Sequence, residues 1–212
     1  PGGSPVQSAY VYDEIRKLQA LHKNKKVYAV ITDIGASGAY YIAAAADKIY
    51  VNPASLVGSI GVIMQGFGVE GLMQKLGVEN RTLTAGEHKA ILSPFEAIKP
   101  EEKEHVKRLL EQVHQQFITA VKQGRGQRLS ADNPDIFSGL FWTGQQAVEL
   151  GLADGFGSVD SVARTVVGAE ELVDYTKTLD PFSEFVRRLG ASMGSAAVAK
   201  LAPASGLEQI GR

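Results

Sequence analysis

Apolar residues recur at three- and four-residue spacing in two long stretches and bunch into short blocks elsewhere. In residues 6–22, Val11, Ile15 and Leu18 share one helical face. Pro100 opens a second periodic stretch running to about residue 123. Its apolar positions are Val106, Leu109, Leu110, Val113, Phe117 and Val121, and Gly124 and Gly126 end it. The block KVYAVITD, 26–33, has the continuous apolar character of a buried strand. KIYV (48–51), SIGVIMQ (59–65), ENRTLT (79–84) and ELVDY (171–175) are predicted as further strands. Shorter helices are predicted at 37–46, at 69–76 before Gly77, in QQAVEL under a Thr143–Gln146 capping box, and after Ser158. Strands alternating with helices predict an α/β domain with a mostly parallel sheet and flanking helices.

Composition narrows the function classes. The chain has 212 residues, 44% hydrophobic and 21% charged, which is ordinary for a globular domain. Its net charge is −1, and its densest basic run, KNKK at 23–26, reads as a solvated loop, so nucleic acid is not an expected partner. No cysteine is present, which removes disulfide and thiol chemistry. No apolar run reaches the roughly 18 residues of a membrane span. The chain starts PGGSPVQS, without an initiator Met, and a signal or anchor upstream of it is expected.

DIGASGAYYIAAAAD, 33–47, poses the main chemical question. Ser37 stands between small residues where a strand is predicted to turn into a buried helix. Two readings fit the residues alone. Ser37 is an ordinary helix cap, or it is a nucleophile beside unpaired helix-start N–H groups suited to a developing oxyanion. Gly38 would then clear room for a substrate backbone. Other candidates are weaker. GFGVEG, 66–71, matches G-x-G-x-x-G, but no acidic residue follows about 20 positions on. His22, His88, His105 and His114 form no metal-binding spacing, and His105 and His114 are expected on a helix surface. Lys89, in TAGEHKAIL, reads by itself as a loop lysine.

Taken in order, PGGS (1–4), DIGASGAYYIAAAADKI (33–49), GSIGVI (58–63) and AGEHK (85–89) resemble the signal peptide peptidase A family of Ser-Lys peptidases, in its short single-repeat bacterial form. The resemblance runs from Pro1 to about Tyr175. It implies a crotonase/ClpP-like β-α superhelix over residues 1–180, followed by a C-terminal helix and small-residue tail at 181–212. Within that tail, 182–193 are expected as the helix, and 190–206 as a segment the enzyme itself trims. The resemblance also implies Ser37 as nucleophile, Lys89 as general base and Ser59 as the hydroxyl that orients the lysine. Gly38 and Gly3 would supply the oxyanion N–H groups. His88 is the one rival base, and Glu87 is expected to point away from Lys89. One departure is visible: residues 34–39 are IGASGA, where members more often carry AASGG.

The function so implied is a serine endopeptidase that cleaves remnant signal peptides through an acyl-enzyme, with no cofactor. It would sit at the bacterial cytoplasmic membrane, catalytic domain outside, as a homo-oligomeric ring in which Ser37 of one protomer meets Lys89 of the next. A crotonase-type acyl-CoA enzyme and a catalytically silent membrane scaffold are the alternatives of the same fold.

Overall fold

The computed structural model describes residues 1–130 and 133–176. The chain divides into two units, Pro1–Glu170 and Glu171–Arg212. The expected terminal helix (182–193), the tail (190–206) and the boundary at 180 lie outside the described residues.

The first unit opens with helix α1, Pro5–Leu21, capped by Ser4, whose side chain accepts from the Gln7 amide. Strand β1, Tyr28–Ile31, follows, then β2, Ile34–Ala36, and helix α2, Gly38–Ala43. Strands β3, Lys48–Val51, and β4, Leu56–Gly58, come next. Helix α3, Glu70–Leu76, ends on left-handed Gly77, and α4 runs from Pro100 to Arg125. Strand β5, Phe141–Thr143, leads into α5, Gly144–Glu149. Strand β6, Gly155–Phe156, precedes α6, Val159–Val162.

The strands form two three-stranded sheets. One is parallel throughout, in the order β1-β3-β6. In the other, β2 and β4 are parallel and β5 runs antiparallel to β4. The chain therefore passes twice from the first sheet to the second, at 32–33 and at 52–55. Buried Ser55 ties the two crossings together: its Oγ lies 3.0 Å from the Ile31 carbonyl and 2.6 Å from that of Thr32, and accepts from the Asn52 amide at 3.0 Å.

The small side chains of α2 have a packing cause. A Cβ on Gly124 of α4 would run into the Ala44 carbonyl. The two backbones are thus in contact, and only very small side chains fit between them. Larger groups fill the flanks. Tyr41 stacks on Phe117 with ring centroids 4.8 Å apart and meets Tyr12 edge-on at 5.5 Å. Tyr12 also donates to the Ala120 carbonyl. Fully buried Tyr40 donates to the Leu152 carbonyl, and burial pushes its phenol well above the ordinary tyrosine range.

Several expectations need correction. The predicted strand at 59–65 is displaced to 56–58. Beyond Gly58 its parallel partner β2 has already turned into α2, and on the β5 side the pairing goes no further than the Ser59 amide and the Leu140 carbonyl. Residues 79–84 are exposed and irregular, because the Asn80 side chain accepts from both the amide and the hydroxyl of Thr82 and makes a local turn. Residues 171–175 likewise form no strand. The Thr143–Gln146 box is present in both directions, and α6 starts at Ser158 as expected.

The C-terminus of α4 is held by an ionic cluster. Arg125, 1% exposed, donates to Asp154 at 2.7 Å and to the Gly151 carbonyl at 2.9 Å. Arg128 reaches the other Asp154 oxygen at 3.1 Å, and the Ile49 amide of β3 donates to Asp154 at 2.7 Å. Burial alone would raise the Asp154 carboxyl. The hydrogen bonds from Arg125 and Ile49, with both arginine charges, overcome it and hold the group below the usual carboxylate range. A depressed folded value means the stabilisation is complete above the unfolded value of about 3.9 and is lost as pH falls through the folded one. Asp154→Asn is therefore expected to be less stable than wild type at pH 7, with the gap closing below pH 4. Urea unfolding at both pH values checks this; a gap that does not narrow in acid would show that Asp154 is not ionised in the cluster.

Candidate active site

Ser37 follows the last residue of β2, and Ser59 follows the last residue of β4. Ala36 pairs with Gly58 in parallel register, so the two serines stand side by side at the ends of neighbouring strands, which lie about 4.8 Å apart. Both leave the strand with left-handed backbone: φ is 55° at Ser37 and 49° at Ser59. Ser37 combines that with ψ −128°, a region L-residues other than glycine seldom adopt. Such a conformation costs on the order of 1–3 kcal/mol. It is imposed from several sides. The Ser37 amide donates to the Gly58 carbonyl at 2.8 Å, and its carbonyl accepts from Tyr41 at 2.9 Å to start α2. The Ser59 amide is fixed to the Leu140 carbonyl at 2.7 Å, just before β5.

Ser37 occupies the cap position of α2, yet its hydroxyl makes no capping bond. The cap reading left open by the residues is thus not realised, and the hydroxyl stays available on a strand-to-helix elbow.

The N-terminal turn lies directly on this elbow. A Cβ on Gly2, where φ is 121°, would fall 2.9 Å from Ser37 Cβ and 3.0 Å from the Gly38 nitrogen. A Cβ on Gly38 would fall 3.0 Å from the Gly3 nitrogen and 2.5 Å from Ser8 Oγ. Gly38 is therefore required for close packing of α1 and its leading turn. Gly3 and Gly38 come together, and among the described residues neither N–H donates to a protein acceptor. Two free amides beside a strained serine match the needs of an oxyanion site.

Among the described residues Lys89 makes no hydrogen bond to this arrangement within one chain. It lies exposed on a turn, its amide donating to the Gly86 carbonyl at 3.1 Å. Among the described residues its ammonium bonds neither Ser37 nor Ser59, and it forms no ion pair with Glu87. His88 does not reach Ser37 either; it lines a cavity of about 380 Å³ with His105, Glu101, Glu102 and Arg108. The GFGVEG segment lacks the strand its motif requires, because 62–69 are irregular and α3 has only seven residues. His114 departs from its expected surface place. It is half-buried, with Nε2 2.9 Å from the Ile60 carbonyl, and so braces the chain just after Ser59.

Ser37→Gly relieves the backbone strain of about 1–3 kcal/mol while adding about 0.5–1 kcal/mol of chain entropy to be lost on folding. Its urea midpoint is expected at or above that of Ser37→Ala. A midpoint clearly below would mean the left-handed backbone is not strained.

Comparison with known proteins completes the site. The model of peptidase family S49 matches residues 19–173. A Brucella melitensis protein bearing the name Na(+)/H(+) antiporter NhaA is 49% identical over 168 residues, 79% of this chain and 23% of its own length. A Synechocystis protein with the assigned name of a protease is 36% identical over 193 residues, 89% of this chain and 68% of its own. One from Enterococcus faecium, with the assigned name signal peptide peptidase SppA, is 32% identical over 176 residues, 83% of this chain and 50% of its own. This chain thus spans under a quarter of the first relative and half of the third. The matched segment carries Ser37, Gly38, Ser59 and Lys89 in one continuous stretch, and the chain belongs to peptidase family S49.

Proposed function

We propose that the protein is a serine endopeptidase in which Ser37 is the nucleophile and Lys89 of a neighbouring protomer is the general base. The observation that carries this reading is the elbow: a strained, uncapped Ser37 beside the free amides of Gly3 and Gly38, with Ser59 in register next to it. Neutral Lys89 takes the Ser37 proton as Oγ attacks the scissile carbonyl carbon. The Gly38 and Gly3 amides receive the oxyanion. The lysine ammonium then gives its proton to the leaving amine, and water hydrolyses the Ser37 ester by the same route. Ser59 aims the amine. The fold to which this belongs is the crotonase/ClpP-like superhelix.

A lysine works as a base only when neutral, and its reference pKa is about 10.4. Burial against a neighbour would favour the neutral amine. The segment 63–98 that carries Lys89 supports such a neighbour. Leu83 is 97% exposed and Phe67 89%, and Ile63, Leu76 and Ile98 are exposed as well. A monomer seldom leaves so much apolar surface in one segment. The ring assembly, the unfolded or signal-peptide substrates, and a site outside the bacterial cytoplasmic membrane belong to the same proposal. The Enterococcus relative's assigned name supports the substrate class. No helix among the described residues is long and apolar enough to cross a membrane, so the anchor is proposed to lie elsewhere in the protein.

Ser37→Ala and Lys89→Ala are each expected to lose nearly all peptide hydrolysis, the double variant little more, and His88→Ala to retain most. A serine-directed acylating probe should label wild type and not Ser37→Ala. Mixing the Ser37→Ala and Lys89→Ala proteins under subunit exchange should restore part of the activity, because some junctions then pair an intact serine with an intact lysine. Exchange without restored activity places the dyad within one chain, and His88→Ala as inactive as Lys89→Ala removes the lysine from its role.

A further inference from the structure

Ser8 is a buried polar residue that the proposed chemistry does not use. It lies in the second turn of α1, is 5% exposed, and its amide closes the helical bond to Ser4 at 3.0 Å. Helical side chains lean toward the helix N-terminus, so Ser8 leans toward the start of α1. An alanine at 8 would satisfy apolar packing alone. Yet a hydroxyl is present. Among the described residues it takes part in no hydrogen bond with protein.

Its location explains more than packing. The point where a Gly38 Cβ would sit is 2.5 Å from Ser8 Oγ and 3.0 Å from the Gly3 nitrogen. Ser8 Oγ, Gly38 Cα and the Gly3 amide therefore crowd around one spot. The Gly2–Gly3 turn precedes the cap of α1, and a Cβ on Gly2 would meet Ser37 Cβ, the Gly38 nitrogen and the Ala36 carbonyl. Ser8 is a side chain of α1 that bears on Gly38, beside the Gly3 amide.

We propose that Ser8 is a positioning residue of the peptidase site: its hydroxymethyl group is the spacer that holds the Gly3 amide at a set distance from Gly38, and so fixes the gap between the two oxyanion donors. The inference rests on the proposed function above. Oxyanion donors act on the transition state far more than on bound substrate. A loosened pair should then lower kcat and leave KM almost unchanged.

The experiment compares wild type, Ser8→Ala, Ser8→Cys and Ser37→Ala with a short peptide amide as substrate. A peptidyl boronate, whose tetrahedral adduct on Ser37 presents an oxygen to both amides, is the inhibitor. Deleting a whole oxyanion donor costs about 100- to 1,000-fold in kcat, so loosening one should cost about ten-fold. Ser8→Ala is expected to show that loss with KM within two-fold, boronate affinity reduced by a matching factor, and a wild-type urea midpoint. Ser8→Cys keeps the volume of the spacer and should recover to within about three-fold of wild type. A purely structural serine would lower the midpoint and leave the boronate constant of the folded fraction unchanged, which overturns the proposal, as would wild-type kcat in Ser8→Ala. If Ser37→Ala is inactive while Ser8→Ala is normal, only the Ser8 role falls. If Ser37→Ala hydrolyses the peptide normally, the peptidase reading falls and takes this inference with it.

Discussion

The left-handed backbone of Ser37 is the constraint around which the rest of the unit is arranged. It ends β2 after three residues, starts α2, and turns a hydroxyl outward in place of capping the helix. A conformation that unfavourable persists only when its surroundings overdetermine it. Here they do. The Gly58 carbonyl holds its amide, Tyr41 holds its carbonyl, and the Gly2–Gly3 turn presses on it from the third side. The first two are backbone hydrogen bonds, and the third is a close approach that leaves no room for a side chain at Gly2. The glycine at 2 is thus a consequence of this residue, since a Cβ there would meet Ser37 Cβ, whereas the glycine at 38 makes room for Ser8 and Gly3 and that at 58 for Trp142 and the Leu140 carbonyl.

The packing behind the elbow has the same logic one layer deeper. A helix that starts at a fixed angle must be held from behind, and α4 approaches α2 until Gly124 touches the Ala44 carbonyl. Contact that close explains the alanines at 43–46 without reference to catalysis. It also demands a strong anchor at the end of α4, since small residues provide little area. Arg125, Arg128 and Asp154 supply it by tying α4 to the Ile49 amide of β3. An ion pair this buried adds little net stability by itself. What it adds is register, because a shift of α4 would leave a buried guanidinium and carboxylate unpaired.

The elements legible in the sequence were those with local causes. Periodicity marked α1 and α4, the Thr143–Gln146 box marked α5, and left-handed Gly77 closed α3 as read. The strands failed where pairing is decided at a distance. SIGVIMQ has every local feature of a strand, but β2 stops opposite Gly58 and withdraws the partner. The FWT strand β5 exists because Leu140 and Trp142 meet β4, a relation no window of the chain contains. For the site, motif order pointed to Ser37, Gly38, Ser59 and Gly3, and these four do gather at one place. The bracing residues were not legible. Ser8 looks like any helix serine, and His114 like a surface histidine, until the fold places Gly38 and the Ile60 carbonyl beside them.

Lys89 marks the boundary between what one chain holds and what it lacks. Every contact that fixes Ser37 is internal, whereas the amine proposed to activate it is exposed on a turn, in a segment whose apolar side chains are exposed among the described residues. A serine without its base is inert, and an exposed lysine at neutral pH is a cation, not a base. Splitting the pair between protomers would make both conditions depend on assembly: proximity of the amine, and its desolvation. A peptidase so divided stays silent while single chains fold, and acquires nucleophile and base together only inside an enclosed junction. On that proposal the rigid elbow and the exposed loop would be two halves of one device, the first holding strain and the second ordered by a neighbour.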